Sequence, residues 1–204
     1  KQWRNKSISE INPPGSTIKI VTSASAFEEN LIDLNSDTFF CSGYLQVQDA
    51  KIGCSLRSGH GSQTFTQALT NSCNPAFISY GLKLGNTAFY EYMRSFGLME
   101  GTGIDLSGEA DSIFADPASF TQLDLACYAF GQNFNVTPIA LITAQAACVN
   151  GGYLRTPYLV ERITDSNGSV TYQHDSTPIR QVVSEETSAT VRECLEYVVA
   201  SGTG

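Results

Sequence analysis

At 204 residues the chain can hold one large domain or two small ones. A composition of 42% hydrophobic and 16% charged residues is that of a cored globular protein and excludes a disordered chain. A net charge of -8 argues against a nucleic-acid partner, because phosphate binding calls for a basic surface, and no apolar run approaches the ~20 residues of a membrane span.

The chain opens at Lys1-Gln2-Trp3-Arg4 with neither an initiator Met nor a signal peptide, and reads as a piece of something longer whose anchor or export signal would lie upstream. Residues 1–12 are polar and lead into the breaker Pro13-Pro14-Gly15. A buried helix is predicted from Ser16 to about Asn30, with Ile18, Val21, Ala24 and Phe27 on one face and Ile20 and Leu31 widening it. Residues 33–62 read as Gly/Ser-rich loop with short strands. A helix over about 64–71 stops at Ser72-Cys73-Asn74, and Pro75 suits the start of the next one, which runs to about Leu84 and stops at Gly85. Ser72 and Asn74 therefore sit on an interhelical turn, where polar side chains can point into a cleft.

A further helix is predicted over about 87–95, then a Gly-rich loop over 98–116. Asp116-Pro117 reads as a cap and first position for a helix to about Phe130, and Thr137-Pro138 repeats the device for an apolar helix to Val149, which Asn150-Gly151-Gly152 ends. Residues 158–164 and 169–173, around Asp165-Ser166-Asn167-Gly168, make a hairpin. Ser184 caps a last helix with Glu185 and Glu186 in its first turn. The helices cluster at about 16–150 and the hairpin follows at about 153–204, so a helical lobe and the start of a sheet lobe are expected.

Ser16 and Lys19 lie three residues apart, one helical turn from each other on a shared face. A serine hydroxyl is a weak nucleophile that a neighbouring neutral amine can activate. A lysine titrates near ~10.4 and serves as a base only where burial or nearby cations lower that value. The free N–H groups and dipole at a helix start favour negative charge on the serine oxygen.

Of the six cysteines, Cys127, Cys148 and Cys194 fall in apolar helical patterns, and Cys73 also reads as packing. Cys41 and Cys54 flank a polar segment where a disulfide can form, which would place the domain in an oxidising compartment. With no Cys-x-x-Cys and only His60 and His174, a closed zinc site is not expected, and no metal or other cofactor is predicted. His60 stands between two glycines; without a Gly-x-Ser-x-Gly elbow it reads as a structural loop histidine rather than part of a Ser/His/Asp triad. Asp105 and Glu109 read as loop-ordering groups.

Ser-x-x-Lys at Ser16/Lys19, Ser-x-Asn at Ser72/Asn74 and Gly59-His60-Gly61 together resemble the transpeptidase domain of penicillin-binding proteins, more narrowly the class B enzymes of division and sporulation septa. Further blocks follow in the family's order: Trp3-Arg4-Asn5-Lys6, Thr102-Gly103-Ile104-Asp105-Leu106 with Gly108-Glu109, Phe130-Gly131-Gln132, Val136-Thr137-Pro138, Asn150-Gly151-Gly152 and Gly202-Thr203-Gly204.

The resemblance implies a mixed α/β fold of the β-lactamase/transpeptidase type, with a helical lobe and part of an antiparallel sheet lobe, incomplete at the C-terminus. It implies Ser16 as the nucleophile towards the penultimate D-alanine of a peptidoglycan stem peptide, and Lys19 as its base. Ser72 would be the proton shuttle to the leaving amine, and Asn74 a hydrogen-bonding group for the substrate backbone. The backbone N–H of Ser16 would be one oxyanion donor. The implied partners are stem peptides, β-lactam antibiotics and septal cell-wall synthesis proteins of the parent. The implied location is the extracytoplasmic face of a bacterial membrane, with an upstream anchor.

One departure stands out. The family's third motif, Lys-Thr/Ser-Gly, occurs nowhere in the 204 residues. It would supply a second oxyanion donor and the centre of the sheet, so the fragment alone is expected to be inactive or to need its remainder in order to fold. Two other readings remain open. One is a serine β-lactamase or D,D-carboxypeptidase, although the Glu-x-x-Leu-Asn motif of one β-lactamase class is absent. The other is a domain that is acylated without turnover, or a structural one.

Overall fold

The computed structural model describes residues 3–202, so the Thr203-Gly204 end of the last sequence block lies outside the described residues. After α1 (Lys6–Ser9), a 3-10 turn at Gly15–Ile18 runs directly into α2 (Lys19–Glu28). Strands β1 (Thr38–Cys41), β2 (Tyr44–Val47), β3 (Ala50–Gly53) and β4 (Gly61–Thr64) follow, then α3 (Phe65–Thr70), α4 (Asn74–Leu84) and α5 (Asn86–Ser95). Beyond a long loop come α6 (Gln122–Tyr128), α7 (Pro138–Val149), the short strands β5 (Tyr153–Leu154), β6 (Arg162–Thr164), β7 (Val170–Gln173) and β8 (Arg180–Gln181), and α8 (Glu185–Ser201). Among the described residues four antiparallel pairs are formed: β1 with β4, β2 with β3, β5 with β8 and β6 with β7.

Helix α2 is the axis of the molecule. It packs against α4, α5, α7 and α8, and every residue from Val21 to Phe27 is buried. A helix enclosed on all sides cannot be amphipathic, and α2 meets that demand with small residues. The hydroxyls it buries are answered internally: Ser23 Oγ donates to the Lys19 carbonyl at 2.6 Å, Ser25 Oγ to Val21 at 2.9 Å, and Thr22 Oγ1 across to Ala129 at 3.0 Å. Aromatic contacts pin the neighbours: Phe27 meets Phe65 edge-on at 4.8 Å, and Phe65 lies 6.0 Å from Phe77 on α4.

Most predicted elements form within a residue or two of their sequence limits. The helix expected from Asp116 to Phe130 is broken instead. Asp116 caps only a 3-10 turn at Pro117–Ser119, and Phe120 then takes an extended conformation. Thr121 restarts the chain as α6 through a capping box with Asp124. The break lets the Phe120 ring pack on Tyr90 at 5.5 Å and on Tyr128 at 5.0 Å. The hairpin is also shorter than expected, its first strand starting at Arg162 rather than Tyr158. In front of it the backbone N–H groups of Leu159 and Val160 both donate to the Asp105 carboxylate at 2.8 Å, so neither is free to join the ladder with β7. The Cys41–Cys54 disulfide is not formed; both are buried free thiols.

Candidate active site

The site is built where the start of α2 meets the turn between α3 and α4. Gly15 donates its N–H to the Gly131 carbonyl at 3.0 Å, tying the first turn to the loop after α6. The two backbones meet so closely that a Cβ on Gly131, whose φ is +94°, would lie 1.9 Å from the Gly15 oxygen, so only glycine fits. Thr17 Oγ1 donates to the Pro14 carbonyl at 2.7 Å. The result is a rigid turn that leaves Ser16 exposed and Lys19, one turn on, buried beneath it.

The second half is a helix stop. The N–H of Ser72 returns to the Leu69 carbonyl and that of Cys73 to Ala68, both at 2.9 Å, the paired bonds of a Schellman motif. Such a motif places its central residue in the left-handed region, normally a glycine's place. Here it is Ser72, with φ of 49°. A serine held there costs on the order of 1 kcal/mol, and its hydroxyl is aimed inward, at Lys19. Asn74 begins α4, with Pro75 behind it in the first turn.

Lys19 Nζ joins the two halves. It lies 3.1 Å from Ser16 Oγ, 2.9 Å from Ser72 Oγ, 2.8 Å from the Ser72 carbonyl and 2.7 Å from Asn74 Oδ1. An ammonium has three N–H donors for these four acceptors, so one acceptor must share. When the amine is neutral its lone pair can take a proton from a neighbouring hydroxyl. Lys19 is 1% exposed, and burial pushes its pKa down from 10.5 to about 8, against the opposing pull of the Cys73 and Cys54 thiols. Asn74 turns its amide towards the Gly53 carbonyl at 3.4 Å, which fixes the side chain with its oxygen on Lys19.

All four residues singled out in the sequence, Ser16, Lys19, Ser72 and Asn74, are thus brought together across 53 to 55 residues of intervening chain. One neighbour was missed: Phe77, whose ring lies 5.4 Å from Lys19 Nζ. The signal for it was available, since Phe77 follows Asn74 by one helical turn and so shares its face. His60 belongs to a different cluster, with Nδ1 3.5 Å from Cys54 Sγ. Glu109 accepts the Thr102 N–H at 2.9 Å and orders its loop, as Asp105 does.

Comparison with known proteins gives a consistent picture. The family model for the penicillin binding protein transpeptidase domain matches residues 1–204. Stage V sporulation protein D of Bacillus subtilis is 42% identical over 203 residues, covering 98% of this chain and 31% of that protein. The peptidoglycan D,D-transpeptidase MrdA of Acinetobacter baumannii is 24% identical over 213 residues, again 98% of this chain and 31% of the relative. Among solved structures, the D,D-transpeptidase domain of a peptidoglycan glycosyltransferase from Eggerthella lenta superposes with a TM-score of 0.90 at 26% identity, covering 98% of this chain and 52% of that one. Penicillin binding protein 3 of Mycobacterium tuberculosis in complex with aztreonam gives 0.88 at 27% identity, covering 98% and 44%. The chain therefore spans about a third of the length of these curated relatives.

Proposed function

This chain belongs to the penicillin binding protein transpeptidase domain family, and on that premise we propose that its parent protein is a peptidoglycan D,D-transpeptidase working through an acyl-serine. Ser16 Oγ attacks the carbonyl of the penultimate D-alanine of a stem peptide as its proton passes to neutral Lys19. The negative charge of the tetrahedral intermediate falls on the former carbonyl oxygen, near the Ser16 backbone N–H, which the first turn of a helix leaves without an intrahelical acceptor. Collapse breaks the amide bond. The leaving D-alanine amine takes a proton from Ser72 Oγ, which Lys19 refills. The amine of a second stem then attacks the acyl-serine, giving a proton to Lys19 through Ser72. The new amide forms, and Ser16 regains its hydrogen. Asn74 binds the substrate backbone amide through this cycle. One hard amide exchange thus becomes two easier steps.

The observation that carries this reading is the buried amine of Lys19 within 3.1 Å of two hydroxyls and an amide oxygen from distant segments. A β-lactam presents a strained amide to the same serine, so β-lactams are the expected inhibitors. Stem peptides lie outside the cytoplasm. The domain accordingly works on the extracytoplasmic face, held there by a part of the parent outside this chain and accompanied by septal cell-wall synthesis proteins. Among the described residues no helix is long and apolar enough to cross a membrane.

The test is covalent labelling of the full-length parent with a fluorescent penicillin, followed by mass spectrometry of the labelled peptide. Stable adduct on Ser16 that vanishes in Ser16→Ala supports the proposal. Rapid hydrolysis of the penicillin points to a β-lactamase instead, and a folded full-length protein that takes no label overturns the acyl-serine chemistry.

A further inference from the structure

The turn that carries Ser16 is held from two sides, by segments far along the chain. Before Ser16, the Pro14 carbonyl and the Gly15 N–H belong to one peptide unit, and both are taken. Thr17 Oγ1 donates to the carbonyl at 2.7 Å, and the N–H donates to Gly131 at 3.0 Å. After Ser16, the Thr17 carbonyl accepts a hydrogen bond at 3.1 Å from Gln145 Nε2, a side chain 128 residues further on. Peptide units are rigid planes joined by two soft torsions per residue. Pinning the unit before Ser16 and the unit after Thr17 leaves little freedom for the two units between them. One of those two carries the Ser16 N–H, and both meet at the Ser16 side chain.

The support from which Gln145 reaches is itself fixed. Just ahead of α7, Asn12 and Val136 exchange both backbone hydrogen bonds at 3.0 Å. Helix α7 then packs against α2, with Ala140, Ala144 and Ala147 buried at helical spacing. In this apolar helix only Thr143 and Gln145 have oxygen or nitrogen in their side chains. A glutamine that merely solvated the helix would turn to water. Gln145 is half-buried and gives its amide to a carbonyl in another element.

From this geometry we propose that Gln145 is a positioning residue for acyl transfer: its amide holds the Thr17 carbonyl so that the Ser16 hydroxyl and the Ser16 N–H meet the substrate carbonyl together. It takes no proton and acts only through the backbone. Both groups must be placed to a fraction of an ångström, the hydroxyl for attack and the N–H for the oxygen that becomes charged. The two backbone tethers, at Gly131 and at Val136, follow from the path of the chain. The third depends on one side chain and can be cut by one substitution.

This role rests on the acyl-serine chemistry proposed above, and one set of measurements separates the two. The full-length parent and its variants are mixed with a fluorescent penicillin in stopped flow over a range of concentrations. That yields the dissociation constant of the first complex and the rate constant of acylation separately. Gln145→Leu, close in size but without a donor, should lower the acylation rate constant roughly tenfold and leave the dissociation constant unchanged; a misplacement of ~1 Å would cost more, about 10²-fold. Gln145→Asn carries the same amide one methylene short and should fall as far. Gln145→Glu sets a carboxylate against a carbonyl and should fall further. Gln145→Lys, a donor of sufficient reach, should recover most of the rate, as no packing role would. The pH limb of Lys19 should not move in Gln145→Leu, since the contacts of the amine are intact. Gln173→Leu removes the same kind of amide-to-carbonyl bond from the hairpin and should change neither constant. A wild-type rate in Gln145→Leu overturns the positioning role alone, and so does a loss that Gln145→Lys leaves unrestored. A wild-type parent that takes no label on Ser16 overturns the acyl-serine chemistry and the positioning role with it.

Discussion

Two of the helix stops that share one backbone design differ in what they are asked to do. At the end of α5, Gly97 returns its N–H to Arg94 and Leu98 returns its own to Met93, and Gly97 takes φ of 74° as glycines do at such places. At the end of α3 the same two bonds form, but the left-handed position is held by Ser72 at φ of 49°. One turn uses the residue that fits without strain. The other gives up stability to put a hydroxyl 2.9 Å from a buried amine. An outlier of this kind is where backbone strain and chemistry coincide.

The comparison can be broken most severely at the amine itself. Lys19→Ala should reduce the rate of penicillin acylation of the parent by about 10²–10⁴, the range of a lost general base, while the protein remains folded; stopped-flow labelling with circular dichroism as the fold check reads both. Next in size is Ser72→Gly. It relieves the left-handed strain, so thermal stability should hold or rise by a few tenths to about 1 kcal/mol, as the glycine at the matching turn implies. Acylation should nonetheless fall by about 10² because the proton route is cut. A serine that merely capped the turn would show the stability change alone.

The pH dependence sharpens the same point. Lys19 has its pKa lowered to about 8, and the base must be neutral. Acylation should therefore be full above that value and fall about tenfold for each pH unit below it, as the protonated fraction rises. A profile flat from pH 6 to 9 would show that Lys19 is not the base. The smallest effect is expected at the other turn. Gly97→Ala adds a Cβ at 3.1 Å from Leu154 in a conformation that disfavours it, and should lower stability by about 1 kcal/mol, a melting shift of about 2–4 °C. Acylation by the folded protein should not change.

The sequence was most legible where short-range rules govern. Thr64, Thr121, Thr137 and Ser184 each accept a backbone N–H three residues on; Thr137 and Ser184 were read as caps from the sequence and Thr64 as the approximate start of its helix, whereas Thr121 was not singled out. The exception is instructive. Asp116-Pro117 is a fair start signal, but two start signals lay within five residues. The later one won because a break at Phe120 lets its ring reach Tyr90 and Tyr128, contacts no local rule encodes. The hairpin start was misjudged for the same reason, since Asp105 lies 54 residues before the N–H of Leu159 that it accepts.

By itself, the sequence determined the chemical vocabulary: a hydroxyl one turn from an amine, a second hydroxyl and an amide on a helix stop, and the order of motifs that marks the family. Tertiary structure alone decided that Lys19 is enclosed by the packing of α2 against its neighbours, which lowers its proton affinity, and that Ser72 takes a left-handed backbone aimed at it. It also decided that Gln145 on α7 reaches the Thr17 carbonyl. Burial and convergence depend on segments separated by tens of residues, and no local spacing records how they will meet.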